Sequence, residues 1–490
     1  MAFRAYGARV LYQRVVAVRV MYRALSAEVH PQSHADFLKG APHRKHPGVT
    51  NLKTLRLPDE LQKAAQAIIH GTEVSGLVDK ARSLTNFLWS RKRAPEDVTL
   101  RERAMALEKN LWEKTKEKGG DVDLQLLKTQ ITKKVLSDLR KITYHWSPMR
   151  YDEELGVVYM VAKLAGGYAA VKRVLNEIKK RDPSFSPHSL LDFGSGLGTA
   201  VWASHSFWGD TLKEMVCVDN SGAMNTIADR LLRGSSEKDE PVIKQVYFRQ
   251  FLPVSPKVQF DLVVGAFSLS ELASQKERED AILTLWRKSS SYLVLLENGT
   301  KEGHQILMDA RDILLKKQER AAHDPRRPSV FAPVCYYTLL YMNHLIIHCL
   351  IRQFISPMCF FCLLSFECPH ESPCPKLFQL PLVPCNFSQA YSPLPLPGAP
   401  DRQTERFSYL VLSRTEWAGG EGLDWARLTA PVLRRPRHVH CQVCCSSGEI
   451  KRVVVTAHRH GRDVYRCARS SDWGDQLPII QPEDDSSNLD

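Results

Sequence analysis

The chain of 490 residues is 43% hydrophobic and 25% charged, which excludes a single small module and fits an ordinary soluble globular protein of two or three domains. Its formal net charge of +13 points to a polyanionic partner, nucleic acid foremost. Of its twelve cysteines only Cys217 precedes residue 330, and so late a cluster reads as a local metal site rather than core thiols or scattered disulfides.

In residues 1–27, Arg4, Arg9, Arg14, Arg19 and Arg23 punctuate apolar residues, and the first acid is Glu28. An Arg-rich, acid-free, amphipathic start predicts a mitochondrial presequence and a matrix location. Residues 28–150 are predicted to be a basic arm followed by helices. The arm is the His-, Pro- and Lys-rich stretch 30–55, and a helix starts after Pro58. Further helices are predicted over 75–91, 99–118 and 122–142. In the last, Leu124, Leu127, Ile131, Val135 and Leu139 recur on one helical face. Leu155, Val158 and Ala162 begin another helix, and Tyr168, Val171, Leu175 and Ile178 mark the one before the first strand.

Strand-like runs then alternate with helical ones. They are Leu190–Phe193, Glu214–Val218, Gln245–Phe248, Phe260–Val264, Tyr292–Leu296 and Phe407–Leu412. The alternation predicts an α/β fold, a Rossmann-type domain over 151–333 completed by 401–430. Residues 334–367 form an anomalous apolar, aromatic-rich insertion. Arg352 and its histidines interrupt the apolar run that a membrane span needs, so no membrane is expected. Residues 369–400 are proline-rich and read as loop, and 476–490 read as a disordered acidic tail.

The predicted cofactor loop is Asp192-Phe193-Gly194-Ser195-Gly196-Leu197-Gly198, between a strand and a helix. Glycines let the backbone turn tightly and approach a ligand, and the helix N-terminus offers free amide donors. Asp219 ends the next strand, where an acid can accept from both ribose hydroxyls. Asp192 is placed to hold the cofactor's amino group through water. The Gly-x-Gly-x-Gly spacing and six to seven strands favour S-adenosylmethionine and the class I methyltransferase plan over a dinucleotide.

The segment after the fourth strand, Gly265-Ala266-Phe267-Ser268-Leu269-Ser270-Glu271-Leu272, has no proline, cysteine or leading acid. Base-methylating chemistry needs such groups there, so no catalytic residue is assigned. Glu271 is expected to cap or start the next helix, and Cys217 to be a core thiol.

Outside the insertion, Cys368, Cys374, Cys385, Cys441, Cys444, Cys445 and Cys467 could supply four sulfur ligands to an iron–sulfur cluster or to zinc, and spacing alone does not choose the metal. Between 431 and 469 lie nine Lys/Arg against Glu449 and Asp463, interleaved with His438, His440, His458, His460 and Tyr465. Guanidinium groups pair with phosphates and rings stack on unpaired bases, so 368–400 and 431–475 read as a metal- and RNA-binding module. Trp473 belongs to the same set.

Tyr144-His145-Trp146, Leu191–Gly196, Arg249–Pro256, Ala266–Leu272, Glu297-Asn298-Gly299-Thr300 and Arg434–Cys445 together resemble the methyltransferase-like protein 17 family, a mitochondrial branch of the methyltransferase superfamily. The resemblance runs from about residue 42 to 475. It implies an assembly factor of the mitochondrial small ribosomal subunit. Such a factor meets the subunit's rRNA, its proteins and other assembly factors, and binds S-adenosylmethionine with methyl transfer lost. The alternative is an active rRNA cytosine methyltransferase. The resemblance also implies a 4Fe-4S cluster on Cys368, Cys374, Cys385 and Cys444, with Cys441 and Cys445 as neighbours that could replace Cys444. The family runs Phe-Ala-Pro directly into Cys-Pro-His-Glu, whereas here 34 residues separate Pro333 from Cys368. The hypothesis for 334–367 is a retained intron.

Overall fold

A computed structural model of the chain describes residues 28–29, 36–38, 40–90, 97–116, 124–142, 149–234, 239–255, 257–317, 328–333, 384–414, 425–445 and 450–480. The expected presequence, the insertion 334–367, Cys368, Cys374 and residues 481–490 lie outside the described residues.

All six strand-like runs form strands of one sheet. These are β1 (Ser189–Phe193), β2 (Glu214–Val218), β3 (Val246–Arg249), β4 (Phe260–Ala266), β5 (Ser289–Asn298) and, later in the chain, β8 (Gln403–Ser413). Two more join them, β6 (Ser329–Ala332) and β7 (Phe387–Tyr391). The order is β3-β2-β1-β4-β5-β8-β6, with β7 on the first half of β8. β1 to β5 are parallel, and β8 runs antiparallel to β5, β6 and β7. This mixed sheet is the α/β architecture expected of the methyltransferase plan. β4 and β5 are continuous apolar runs because both faces are covered, as Leu262, Val263, Leu293 and Val294 are fully buried.

β7 corrects the reading of 369–400 as loop. Phe387, Gln389 and Tyr391 point inward in strict alternation while Ser388 and Ala390 are half-buried, a strand signature that the surrounding prolines obscure.

The helices are α1 (Asp59–His70), α2 (Leu77–Ser90), α3 (Asp97–Lys116), α4 (Leu124–Ile142), α5 (Glu153–Arg181), α6 (Thr199–Trp208), α7 (Gly222–Arg233), α8 (Gln275–Lys288) and α9 (Lys301–Lys317). α5, α6 and α7 pack on one face of the sheet, and α8 and α9 on the other. α5 corrects the expectation of two helices: it is one helix of 29 residues, started by the Asp152 carboxylate accepting from Leu155 N at 2.8 Å. Gly166 within it marks contact rather than a break. A Cβ there would stand 2.4 Å from Glu405 Oε2, so glycine lets the helix lie close on β8. This helix is long and apolar enough to cross a membrane, but its faces are buried against the sheet.

A second, smaller sheet holds β9 (Ala426–Leu428), β10 (Leu433–Arg434), β11 (His438–Cys444), β12 (Ile450–Thr456) and β13 (Gln476–Leu477), backed by α10 (Arg462–Ser470). So 401–430 serves both units: β8 completes the main sheet and β9 belongs to the small one. The start of the expected tail is also ordered, since Ile479–Ile480 pairs with Glu28–Val29 after β13. The basic arm is a seam rather than a free extension. His43 Nε2 meets Asp463 at 2.8 Å, His46 Nε2 meets Ser471 Oγ at 2.8 Å, and Thr50 N donates to Asp475 Oδ1 at 2.8 Å. Burial, then Lys180 and His43, lower the His46 imidazole to about 4, so it packs as a neutral ring.

Candidate cofactor site, cysteines and basic sheet

The order of the main sheet reverses between β1 and β4, which opens a crevice at the carboxyl ends of the strands. The glycine loop turns there. Gly194, Gly196 and Gly198 have φ of 65°, 50° and 69°, which other residues adopt only under strain. Gly194 N and Ser195 N donate to Val218 O at 2.8 and 3.1 Å, tying the loop to β2. A Cβ on Gly194 would lie 2.4 Å from the Ser268 Cβ, so the loop and the segment after β4 touch.

Asp219, just beyond β2, accepts from Gly196 N at 2.9 Å and from Ser221 N at 2.9 Å, one bond per oxygen. A carboxylate oxygen has two acceptor sites, so capacity remains for a ligand's hydroxyls. Burial raises the Asp219 carboxyl against the pull of the Ser221 and Gly196 amides. Asp192 sits on β1 between Cys217 and Val264, only 2% exposed. Burial, then the nearby Asp219, push its carboxyl up to about 8, and its Oδ2 has no hydrogen-bond partner among the described residues. An orphaned, largely neutral acid beside the glycine loop is a place for a polar ligand atom. The five expected cofactor residues thus converge on one crevice. Cys217 is buried on β2, and burial holds its thiol well above the ordinary range, as a core residue requires.

After β4, Phe267 has a positive φ of 59°, and its amide donates to Leu296 O at 2.8 Å. Lys163 of α5 lies 6.0 Å from its ring centroid and pairs with Glu405 at 2.9 Å. Strain of this kind collects at ligand sites. Glu271 lies in a short 3-10 turn and does not cap the next helix. α8 is capped by Ser274, whose Oγ accepts from Glu277 N at 3.1 Å, while Glu277 reaches back to Ala273 N at 3.0 Å. Two amides at the helix start are thus satisfied, one turn later than expected. Glu297 stands in the sequence only as part of the family-like string Glu297–Thr300, with no site role assigned to it. It is fully buried at the end of β5, accepts from Ser270 N at 3.0 Å, and is pushed up to about 7, first by burial. With Leu88, Trp89, Asn298 and Thr300 it lines a recess of about 40 Å³. A lone glutamate in an apolar strand gives no periodic signal, and only its burial reveals it.

The cysteines divide by strand alternation. On β11, Val439, Cys441 and Val443 face the apolar core, whereas Cys444 is on the other side and half-buried. Cys445 and Cys467 are core residues too. Burial pushes the Cys441 and Cys467 thiols up to about 12, in keeping with their place in the apolar core. Cys444 pairs in register with Arg427 of β9, at the junction with the main sheet. Cys385 stands half-buried before β7, and its carbonyl accepts from Ser408 Oγ at 2.8 Å. Among the described residues no three His, Cys, Asp or Glu side chains are grouped to hold a metal.

The expected RNA-binding residues also divide. Arg434 donates to Arg469 O at 2.7 Å, Ser471 O at 2.7 Å and Asp472 Oδ1 at 2.9 Å, and Tyr465 OH donates to Pro436 O at 3.1 Å. Arg469 donates to the Arg435 carbonyl, and His460 is buried. These hold the module together. Arg435, Arg437, His440, Arg452, His458, Arg459, Arg462 and Arg466 remain exposed.

Comparison with known proteins matches residues 153–335 and 359–478 to the family described as mitochondrial small ribosomal subunit Rsm22. The match breaks off within the apolar insertion. The chain is 46% identical over 464 residues to the human ribosome assembly protein METTL17, mitochondrial, covering 94% of this chain and 92% of that one. It is 25% identical over 372 residues to a mitochondrial Rsm22-cox11 tandem protein of Schizosaccharomyces pombe, covering 68% of this chain and 45% of that one. Among solved structures, a putative RNA methyltransferase from Pyrococcus horikoshii aligns over 51% of this chain and 84% of its own, at 8% identity and a TM-score of 0.27, too partial a likeness to argue from.

Proposed function

Since the chain belongs to the mitochondrial small ribosomal subunit Rsm22 family, we propose that it is an assembly factor of that subunit, acting in the mitochondrial matrix by binding rRNA. The observation that carries this is the fusion of a basic sheet to a methyltransferase-type domain through a buried charge network centred on Glu177, which pairs with Arg427 of β9 and with Arg181. A surface that grips phosphates is thereby held rigidly on a fold that can sense a small ligand.

S-adenosylmethionine fits the crevice. Gly194, Gly196 and Gly198 allow close backbone approach, Asp219 keeps acceptor sites for ribose hydroxyls, and Asp192 keeps an oxygen for an amino donor. The group supplies a transferable methyl when bound. The segment beyond β4 offers Phe267 and Ser268 where a nucleophile or amine-receiving acid would stand, which supports a scaffold role with transfer lost.

A 4Fe-4S cluster would be held by Cys368, Cys374, Cys385 and Cys444. The half-buried, junction-facing position of Cys444 favours it over Cys441 and Cys445. A cluster there would brace the joint between the two sheets.

The test is to incubate the purified full chain with immature small-subunit particles and measure co-sedimentation, S-adenosylmethionine binding and methyl incorporation. Co-sedimentation with cofactor binding and no incorporation is the expected result. Incorporation into a defined base would replace the scaffold reading with the rRNA methyltransferase one, and no association would end the assembly reading.

A further inference from the structure

The small sheet has two faces of opposite character. Inward, Val439, Cys441 and Val443 of β11 and Val453 and Val455 of β12 pack against Val464, Cys467 and Ala468 of α10. The outer face is covered at the β9 end, where Arg427 points into the junction, and open at the β10 end. On the open part the register sets Leu433, His440 and Val454 in one row across three strands, with His438 opposite Thr456 and Gln442 opposite Arg452. Residues two apart on a strand share a face, so His438, His440 and Gln442 stand together.

The chemistry of this face is unusual for open solvent. The rings of His438 and His440 meet edge to face, with centroids 4.9 Å apart at 71°. Leu433 is 58% exposed and Val454 45% exposed on either side of them. An aromatic pair flanked by bare aliphatic groups is a surface for flat, partly apolar ligands. Cations frame it. Arg435 and Arg437 lie in the turn joining β10 to β11, closed by Arg435 N donating to His438 O at 2.9 Å, and exposed Arg452 lies on the face itself. The bonds of Arg434, Arg469 and Tyr465 hold this turn from behind, so Arg435 and Arg437 are presented rather than buried.

We propose that this face binds single-stranded RNA. Unpaired bases stack on His438 and His440 and rest on Leu433 and Val454, while Arg435, Arg437 and Arg452 take the phosphates. The inference rests on the rRNA-binding reading and narrows it to one face and to unpaired nucleotides. A duplex fits poorly, because its bases are already stacked and only its backbone and groove edges are offered. A protein partner of the same face would need no phosphate-binding frame.

Fluorescence anisotropy of the full chain tests it, with a labelled single strand of about 12 nucleotides and a duplex of the same sequence, the length being set by ordinary single-strand site sizes. The wild type binds the single strand more tightly than the duplex. His440→Ala weakens single-strand binding roughly tenfold, as expected for one lost stacking contact, and His440→Phe restores most of it. Arg452→Ala weakens both RNAs and lowers the salt slope by about one. His438→Ala guards against a folding failure at position 440, and the melting temperature of each variant is recorded. Absence of any RNA binding by the wild type overturns the rRNA reading and this inference together. Binding that prefers duplex, or that ignores both histidine variants, overturns the inference alone.

Discussion

Arg427 of β9 reaches across the junction between the two sheets and pairs with Glu177 of α5, both fully buried. Tyr409 OH donates to the same carboxylate at 2.6 Å, and Arg181 joins it at 3.1 Å. Burial alone would raise Glu177, but Arg427, Arg181 and Arg173 outweigh it and hold the carboxyl at about 2.

Removing this one negative charge leaves three guanidinium groups facing each other. We expect Glu177→Gln to cost about 3–5 kcal/mol and to lower the melting temperature markedly, whereas Arg427→Met costs less because Glu177 keeps Arg181. The pH dependence follows from a depressed carboxyl. Its contribution is complete above about 4.5 and is lost as pH falls toward about 2. Thermal unfolding of wild type and Glu177→Gln across that window checks both statements, and a Gln variant as stable as wild type would remove the network from the account of how the sheets are joined.

Asp192 has the opposite sign. A carboxyl raised from 3.8 to about 8 binds its proton more tightly in the folded state, so stability falls as pH rises through that range. The slope from this group approaches about 1.4 kcal/mol per pH unit. We expect Asp192→Asn to flatten the decline between pH 6 and 8, to be the more stable protein at pH 8, and to bind S-adenosylmethionine more weakly. Melting curves at several pH values with a binding titration would show it, and parallel pH curves for the two proteins would mean that Asp192 is ionised and satisfied.

Much of this was legible in the residues. β1, β2, β4 and β5 are apolar runs long enough to be read as buried strands, and the glycine loop is fixed by neighbours on both sides. What escaped were features set by distant contacts. Gly166 within α5 makes room for Glu405 of β8 rather than ending the helix, and β7 is held by pairing along the edge of β8. Glu297 is an ordinary polar letter until β5 buries it. The division of the basic residues into Arg434, which braces, and Arg452, which is exposed, depends on the carbonyls of Arg469 and Ser471 far along the chain.

The three loop glycines are not equivalent. At Gly194 an added Cβ meets both a φ of 65° and the Ser268 Cβ at 2.4 Å, whereas at Gly198, with φ of 69°, no atom of the described residues lies within 4 Å. We expect Gly198→Ala to cost about 1–2 kcal/mol from the backbone alone and Gly194→Ala about 3 kcal/mol or more, with cofactor binding weakened in both. Calorimetry of both variants separates the two effects, and equal losses would mean that Ser268 moves aside freely.

Cys441 and Cys444 stand three residues apart on β11 and face opposite sides. We expect Cys444→Ser to lower iron and sulfide content and to bleach the visible absorbance of protein purified without oxygen. Cys441→Ala should keep the full metal content and lose only about 1 kcal/mol, the cost of a small core cavity. The decisive comparison is metal content against melting temperature in the two variants. Loss of iron from Cys441→Ala with retention in Cys444→Ser would require β11 to turn its other face to the cluster. That would expose Val439 and Val443, and the present register with β12 excludes it.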